Sequence, residues 1–447
     1  MRGEAETICA LASAVGGAVG MVRLSGPRAS ELLGQVCRLP RLEARRMHAA
    51  SLRDPESGEV LDRALVCYMP APRSYTGEDV VEVHGHGGEL NLGRILSLFI
   101  GLGARQAAPG EFTRRAFLNG RLDLTQAEAV AQVVAARSER ALRNAQATLG
   151  GALGRRLREL QRHAVELCGL LEAAVDFADE TAEERGEHEL DRRYRQLWGE
   201  LERLAGTYRQ GQRLDGVRVA LVGPVNAGKS SLFNCLLGRN RALVADEPGT
   251  TRDYLEAEAS WDGHRVTLLD TAGERPETAL TPLERAGRAL AAPVLTGCDL
   301  WVQVVDASLD SDLEVPRSDD TPPVVVAANK VDRITPSRRA SLGPELIQTS
   351  AISREGVEVL RRRVMEALFP SEGEAETVQI TLQRQWQGLV NAARAVREGH
   401  DALHAGVPPE VAVEHVREAL EALEAVTGER STEAVLDAVF ARFCVGK

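Results

Sequence analysis

The chain has 447 residues, 54 basic and 65 acidic side chains and a formal net charge of −11, with 44% hydrophobic and 27% charged residues. At about 150 residues per domain this is enough for roughly three globular domains, each able to bury a core, while the acidic balance excludes a chain that is as a whole an electrostatic trap for nucleic acid. Eight Phe, five Tyr and four Trp are too few for a base-stacking platform, and seven scattered Cys without a CxxC pair exclude a disulfide scaffold or a thiolate zinc site and suit a reducing cytoplasm.

No uninterrupted apolar run approaches the ~18–20 residues of a spanning helix, so no membrane association is expected. Thr7 to Val22 is uncharged and fairly apolar, but Glu4 and Glu6 outnumber Arg2 where a secretory leader would be basic. The spacing there predicts a buried strand, a turn around Gly16, Gly17 and Gly20, and a second strand ending at Arg23–Leu24. Residues 1–118 alternate short apolar runs, Leu65–Met69 and Val80–Val83, with a helix-like Leu90–Leu102, predicting a mixed α/β domain. His84 and His86 share a strand face, but no third metal ligand is evident beside them. Residues 119–212 read as long helices rich in Ala, Leu, Glu and Arg. Residues 213–371 alternate strands (Val217–Val222, Val266–Asp270, Leu300–Asp306, Val324–Ala328) with helices, a doubly wound α/β pattern. Helical texture returns over 372–447, after a polar linker. The expected fold is therefore multidomain α/β plus α. A mixed α/β N-terminal domain is followed by a discontinuous helical domain, into which a doubly wound P-loop domain is inserted.

That inserted block carries four nucleotide motifs in order. Gly223-Pro224-Val225-Asn226-Ala227-Gly228-Lys229-Ser230, with Ser231 following, has P-loop spacing between a strand and a helix. Backbone N–H groups at such a helix start cradle phosphate, Lys229 reaches the β/γ oxygens and Ser230 binds Mg²⁺. Asp270-Thr271-Ala272-Gly273 ends a second strand, where Asp270 can hold Mg²⁺ through water and the Gly273 N–H can sense the γ-phosphate. In Asn329-Lys330-Val331-Asp332, Asp332 can accept from guanine N1–H and the 2-amino group, a donor pair adenine lacks, while the Lys330 stem packs on the base. Ser350-Ala351 lies where a backbone N–H can support guanine O6. In order and on strands, these motifs specify a GTPase. Between the first two lies Gly249-Thr250-Thr251, the place for a switch segment whose Thr251 closes on Mg²⁺. Asn226 has two readings: a polar cap of the loop, or a monovalent-cation ligand acting with the segment Ala245-Asp246-Glu247-Pro248-Gly249-Thr250, through Ala245, Glu247 and Thr250. A cation there would neutralise β–γ charge.

Of the 54 basic residues only Lys229, Lys330 and Lys447 are lysines; the rest are arginines. A Lys kept against that bias marks a site suited to a compact ammonium rather than a planar guanidinium. Two of the three sit in the nucleotide motifs. Arg137, Arg140, Arg143, Arg155, Arg156, Arg158 and Arg162 meet only Glu139 and Glu159 between positions 137 and 163. They read as a solvated helix face or as a local RNA-contact strip.

Three stretches outside the nucleotide motifs are narrower. They are Tyr75-Thr76-Gly77-Glu78-Asp79 with Gly85-His86-Gly87-Gly88; Pro109-Gly110-Glu111-Phe112-Thr113 through Arg115-Ala116-Phe117-Leu118-Asn119-Gly120 to Gln126-Ala127-Glu128-Ala129; and Phe443-Cys444-Val445-Gly446-Lys447. With them the chain closely resembles, over essentially its full length, the bacterial MnmE (TrmE) family of tRNA-modifying GTPases. The resemblance implies a folate-binding, dimerising N-terminal domain, a discontinuous helical domain and an inserted G domain. It further implies a homodimer that joins the flavoprotein MnmG in a heterotetramer and hydrolyses GTP with Mg²⁺ and K⁺. Together they would install an aminomethyl-type group (carboxymethylaminomethyl or aminomethyl) on C5 of the tRNA wobble uridine. The one-carbon unit would come from a tetrahydrofolate derivative, in the 5-formyl or methylene form.

By the same resemblance the folate contacts map onto Arg23, Glu82, Arg121 (where the family usually has Lys) and Lys447. The family's water-orienting Glu maps onto Glu284 in Leu283-Glu284-Arg285-Ala286-Gly287, with Glu274 the alternative at the position after Gly273. Cys444 falls near the family's folate pocket and is either inert or a reactive, catalytic thiol. The rival function is a GTP-gated RNA or ribosome assembly switch without covalent chemistry, which predicts an appended RNA-binding module after the G domain.

Overall fold

A computed structural model describes residues 6–39, 42–176, 183–238, 255–271, 297–309, 322–369 and 378–447. They fall into two compact units: residues 1–134, 146–205 and 383–447 form one, and 135–145 with 206–382 form the other. The fold is the multidomain α/β plus α arrangement the sequence predicts, the second unit interrupting the first in the chain.

The first unit begins with a six-stranded sheet of β1 (Ile8–Leu11), β2 (Val19–Ser25), β3 (Met47–Arg53), β4 (Val60–Met69), β5 (Val80–His86) and β6 (Arg105–Gln106). Its order is β3-β4-β5-β2-β1-β6, antiparallel except for the β1/β6 pair. Side chains alternate across a strand, so Val22 and Leu24 enter the core while Arg23 between them takes the opposite face. That core packs the sheet against helices Ala29–Val36 and Glu89–Gly101 through Leu32, Leu33, Leu92, Ile95 and Phe99. Each such fully buried side chain contributes about 1.5–3 kcal/mol of burial free energy.

Long helices complete this unit: Ala152–Asp176, Glu183–Gly206, Gln383–His404 and Pro409–Thr427. Pro409–Thr427 packs on both Gln383–His404 and Ala152–Asp176. Leu389, Ala392, Val396 and Gly399 recur at three- and four-residue spacing, the buried stripe of an amphipathic helix. The chain end returns to the N-terminal region, where Phe440 and Phe443 bury with Leu124 and Leu436. The Gly110 N–H donates to the Cys444 carbonyl at 3.4 Å.

The second unit is built on β7 (Val217–Val222), β8 (Leu255–Trp261), β9 (His264–Asp270), β10 (Leu300–Asp306), β11 (Val324–Asn329) and β12 (Leu346–Gln348). The order β12-β11-β10-β7-β9-β8 is parallel apart from the antiparallel edge strand β8. Near-continuous apolar runs in β7, β9 and β11 reflect burial on both faces, as a parallel sheet requires. The flanking segments are tied into this unit by side chains. Ser138 Oγ donates to the Leu214 carbonyl at 2.6 Å, Asn144 exchanges hydrogen bonds with the backbone of Gln379, and the Ile380 N–H donates to Thr207 Oγ1 at 3.0 Å.

Candidate functional site

Strand order reverses around β7, whose neighbours are β10 and β9, and ligands of such sheets bind beyond the carboxyl ends of the strands at that point. The carboxyl ends of β7, β9, β10 and β11 lead into Gly223, Thr271, Ala307 and Lys330. The loop after β7 needs unusual backbone. Gly223 has φ +135°, Asn226 has φ +65° and Gly228 has φ +93°; a Cβ on Gly228 would lie 2.3 Å from Asn329 Nδ2. Only Gly admits that close approach.

Helix Lys229–Leu237 starts directly after this loop, and the N–H groups of such a helix start are anion-binding donors. Lys229 is buried, and its Nζ donates to the carbonyls of Gly223 and Pro224 at 2.9 Å each. The ammonium is thus held inside the loop it would share with phosphate. Ser230 and Ser231 are exposed on the first turn. At the end of β9, Asp270 is buried, and its Oδ1 has no hydrogen-bond partner among the described residues. A buried carboxylate oxygen in that condition fits a hydrated Mg²⁺, with Ser230 as the second protein donor. Thr271 Oγ1 donates to the Leu221 carbonyl at 2.7 Å, locking the start of that loop to β7.

The base-reading motifs meet the phosphate loop through Asn329. Its Nδ2 donates to the Ala227 carbonyl at 2.9 Å, and its Oδ1 accepts from the Ala351 N–H at 3.3 Å. Ser350 Oγ donates to Asp332 Oδ1 at 2.5 Å, orienting an exposed carboxylate. Lys330 stands at φ +66°, and its Nζ donates to the Asn226 carbonyl at 2.5 Å and to Asp306 Oδ2 at 2.6 Å. Burial pushes the Asp306 carboxyl up, but hydrogen bonds from Lys330 and Ser308 outweigh it and hold the group below its ordinary value. Asp306 was not among the expected site residues. Its signal is its position: it ends β10 in register with Asn329.

The expected nucleotide residues Asn226, Ala227, Gly228, Lys229, Ser230, Ser231, Asp270, Thr271, Asn329, Lys330, Asp332, Ser350 and Ala351 all lie at the strand ends, in the loops or in the first helical turns at this edge. Ala245 to Thr251, Ala272, Gly273, Glu274 and Glu284 lie outside the described residues.

A second cluster forms in the first unit. Register pairs Arg23 on β2 with Glu82 on β5, and the guanidinium donates from Nε to Glu82 Oε1 at 3.0 Å. Its Nη1 reaches the Gly446 carbonyl at 3.5 Å, and its Cζ stands 5.5 Å from the Tyr75 ring centroid and 5.8 Å from that of Phe112. Gly446 has φ +98°, and a Cβ there would lie 2.0 Å from the Leu11 carbonyl oxygen. The terminus is therefore seated against β1, with Lys447 half-buried and Cys444 exposed. Arg121 is exposed and follows the turn after helix Glu111–Leu118, where its Cγ lies 3.3 Å from the Cβ position of Gly77. No hydrogen bond or ion pair joins it to the Arg23 pair among the described residues. Tyr75 and Phe112 supply an aromatic wall that the sequence motifs contained but did not assign.

Acidic partners, two of them one turn along the same helix and two distant in sequence, answer much of the arginine run. Arg158 pairs with Asp123, Arg162 with Glu166, and Arg156 with Glu159 and Glu200. Arg137, Arg140 and Arg143 belong to the second unit and the other four to the first. His84 and His86 face separate carboxylates, Glu82 at 3.4 Å and Asp62 at 2.7 Å. No helix among the described residues is long and apolar enough to cross a membrane.

Known proteins match the chain from end to end. Residues 7–121 match the N-terminus of the GTP-binding protein TrmE, and residues 124–444 match the MnmE helical domain. The tRNA modification GTPase MnmE of Myxococcus xanthus is 42% identical over 458 residues, covering 100% of each chain. Those of Akkermansia muciniphila (39% over 455 residues, 100% of each chain) and Koribacter versatilis (36% over 452 residues, 99% of each) are similar over the same span. The nucleotide edge and these full-length matches together place the chain in the MnmE family of tRNA modification GTPases.

Proposed function

We propose that the protein is a Mg²⁺-dependent, K⁺-stimulated GTP hydrolase of the cytoplasm that modifies tRNA as a homodimer with the flavoprotein MnmG. Its product would carry an aminomethyl-type group on C5 of the wobble uridine, with the one-carbon unit taken from a tetrahydrofolate derivative. The observation that carries this reading is the convergence of Lys229, Asp270, Asn329 and Asp332 on one sheet edge, within a chain that matches this family end to end.

In the hydrolytic step Lys229 would exchange its carbonyl partners for the β and γ oxygens, and the N–H groups of the following turn would hold the same phosphates. Ser230 and Asp270 would hold Mg²⁺, which supplies charge neutralisation at those oxygens. Asp332 would accept from guanine, its carboxylate already oriented by Ser350. Asn226, exposed in the loop, offers the amide oxygen for K⁺. Glu284 would orient the attacking water, and Glu284→Ala is expected to cost on the order of 10²-fold in turnover while sparing GTP binding. A silent Glu284→Ala beside a crippling Glu274→Ala would move that role to Glu274.

For folate, the Arg23–Glu82 pair presents donors and acceptors at the edge of an aromatic wall. Those features suit a flat heterocycle with polar edges and a carboxylate tail. Lys447 and Arg121 would serve the tail, and Cys444 stands exposed on the same terminal segment. The rival assembly-switch reading calls for an added RNA-binding module; residues 378–447 hold three helices and no strand among the described residues.

The test is mass analysis of wobble nucleosides in tRNA from cells lacking the protein. Loss of the aminomethyl-type groups at C5, restored by the intact gene, is expected. An unchanged nucleoside profile would overturn the proposal.

A further inference from the structure

Outside both clusters, helices Glu183–Gly206 and Gln383–His404 of the first unit bring together Asp191, His400 and His404. His400 and His404 are four residues apart, a spacing that puts two imidazoles on one helix face. Both present Nε2 to the same place, the two nitrogens 3.2 Å apart. Asp191 Oδ1 lies 2.8 Å from His400 Nε2 and 3.5 Å from His404 Nε2. Three donors thus form a triangle. A tetrahedral ion with bonds of about 2.0–2.1 Å sets its ligand atoms roughly 3.3 Å apart, close to two of the three edges. The third edge is a hydrogen bond that a bound ion would replace.

We propose that Asp191, His400 and His404 bind one divalent transition-metal ion of the zinc class. Two imidazoles and a carboxylate suit a borderline cation such as Zn²⁺, whereas Mg²⁺ and Ca²⁺ prefer all-oxygen sites. The surroundings support the geometry. Arg195 grips the Asp191 carboxylate from one turn along its helix, its Nε 3.1 Å from both Oδ1 and Oδ2, fixing its direction. The His400 ring packs edge-on against the buried Tyr194, centroids 5.5 Å apart, which limits its rotation. His404 is the exposed member, and beside it the fourth position opens to water. The donors are 209 residues apart in sequence, so the ion would staple the helix preceding the GTPase unit to the one following it. A second carboxylate–histidine group, Glu398, His415 and Glu418, has one imidazole, with contacts of 3.8 and 3.5 Å, and serves as the internal control.

The experiment is a Zn²⁺ titration of the full-length, chelator-stripped protein against a chromogenic indicator in excess Mg²⁺, followed by Co²⁺ substitution and thermal melts. The unaltered protein should take up one Zn²⁺ equivalent, gain melting temperature with it, and show a Co²⁺ spectrum without thiolate charge transfer. His404→Ala, at an exposed site near a helix end, should keep its circular dichroism. It should bind that equivalent at least tenfold more weakly and lose the Zn²⁺-dependent shift, and Asp191→Asn should weaken binding in parallel. His415→Ala should behave as the unaltered protein. Absence of the equivalent, its retention in His404→Ala, its loss in His415→Ala alone, or a thiolate band in the Co²⁺ spectrum would each overturn the proposal.

Discussion

The side-chain amide of Asn329 donates to the backbone carbonyl of Ala227 at 2.9 Å, joining the base-reading loop to the phosphate loop across 102 positions of sequence. Asn329 and Ala227 are each 1% exposed, so removing the amide leaves a buried carbonyl without its donor. Leaving a buried acceptor unpaired costs about 1–3 kcal/mol. Asn329→Ala is therefore expected to weaken GTP binding roughly 5- to 150-fold, measured by titration with a fluorescent guanine nucleotide. Unchanged affinity would show that the two loops are held by other means.

GTP turnover should depend on K⁺ and be supported poorly by Na⁺. Asn226 lies exposed in the phosphate loop with its backbone carbonyl engaged by Lys330, leaving the side chain as the available oxygen ligand. A larger cation of low charge density matches a site built from neutral oxygens. Asn226→Ala should lower turnover toward the Na⁺ level at unchanged GTP affinity. Equal hydrolysis in the two salts would contradict the assignment.

The Asp306–Lys330 pair should make the nucleotide edge acid-sensitive. Hydrogen bonds hold the Asp306 carboxyl below its ordinary value in the folded state. Its stabilising contribution is thus complete above the ordinary carboxyl range and is lost as pH falls through the lowered value. Asp306→Asn should remove that part of the acid dependence of the melting temperature and lower stability near neutrality. An Asp306→Asn curve parallel to the parent's at every pH would show that the pair contributes nothing to the acid dependence.

Removing Gly446 and Lys447 should abolish tRNA modification and weaken folate binding while leaving K⁺-stimulated hydrolysis nearly intact. The Gly446 carbonyl accepts from Arg23 and belongs to the first unit, whereas the nucleotide edge is built in the second. Gly446→Ala should act in the same direction, because a Cβ there meets the Leu11 carbonyl at 2.0 Å in a backbone conformation that disfavours side chains. Concurrent loss of GTP hydrolysis would mean the terminus has a general structural role.

The nucleotide edge was legible in the sequence because its chemistry is local. Gly223, Gly228 and Lys229 must follow a strand and open a helix within a few residues, and Asn329, Lys330 and Asp332 must follow another strand. The doubly wound sheet was legible for a related reason: strands buried on both faces are written as unbroken apolar runs. Partners across long sequence distances were not legible. Nothing near Arg158 or Arg156 announces Asp123 or Glu200, and nothing near Lys330 announces Asp306. The triangle of Asp191, His400 and His404 belongs to the same class, since a carboxylate on one helix meets two imidazoles on another only after both helices have packed. Sequence by itself determined the elements, the nucleotide loops and the family. Tertiary structure alone decided which charges pair, because side-chain contact depends on how the buried faces of the helices and sheets bring distant residues together.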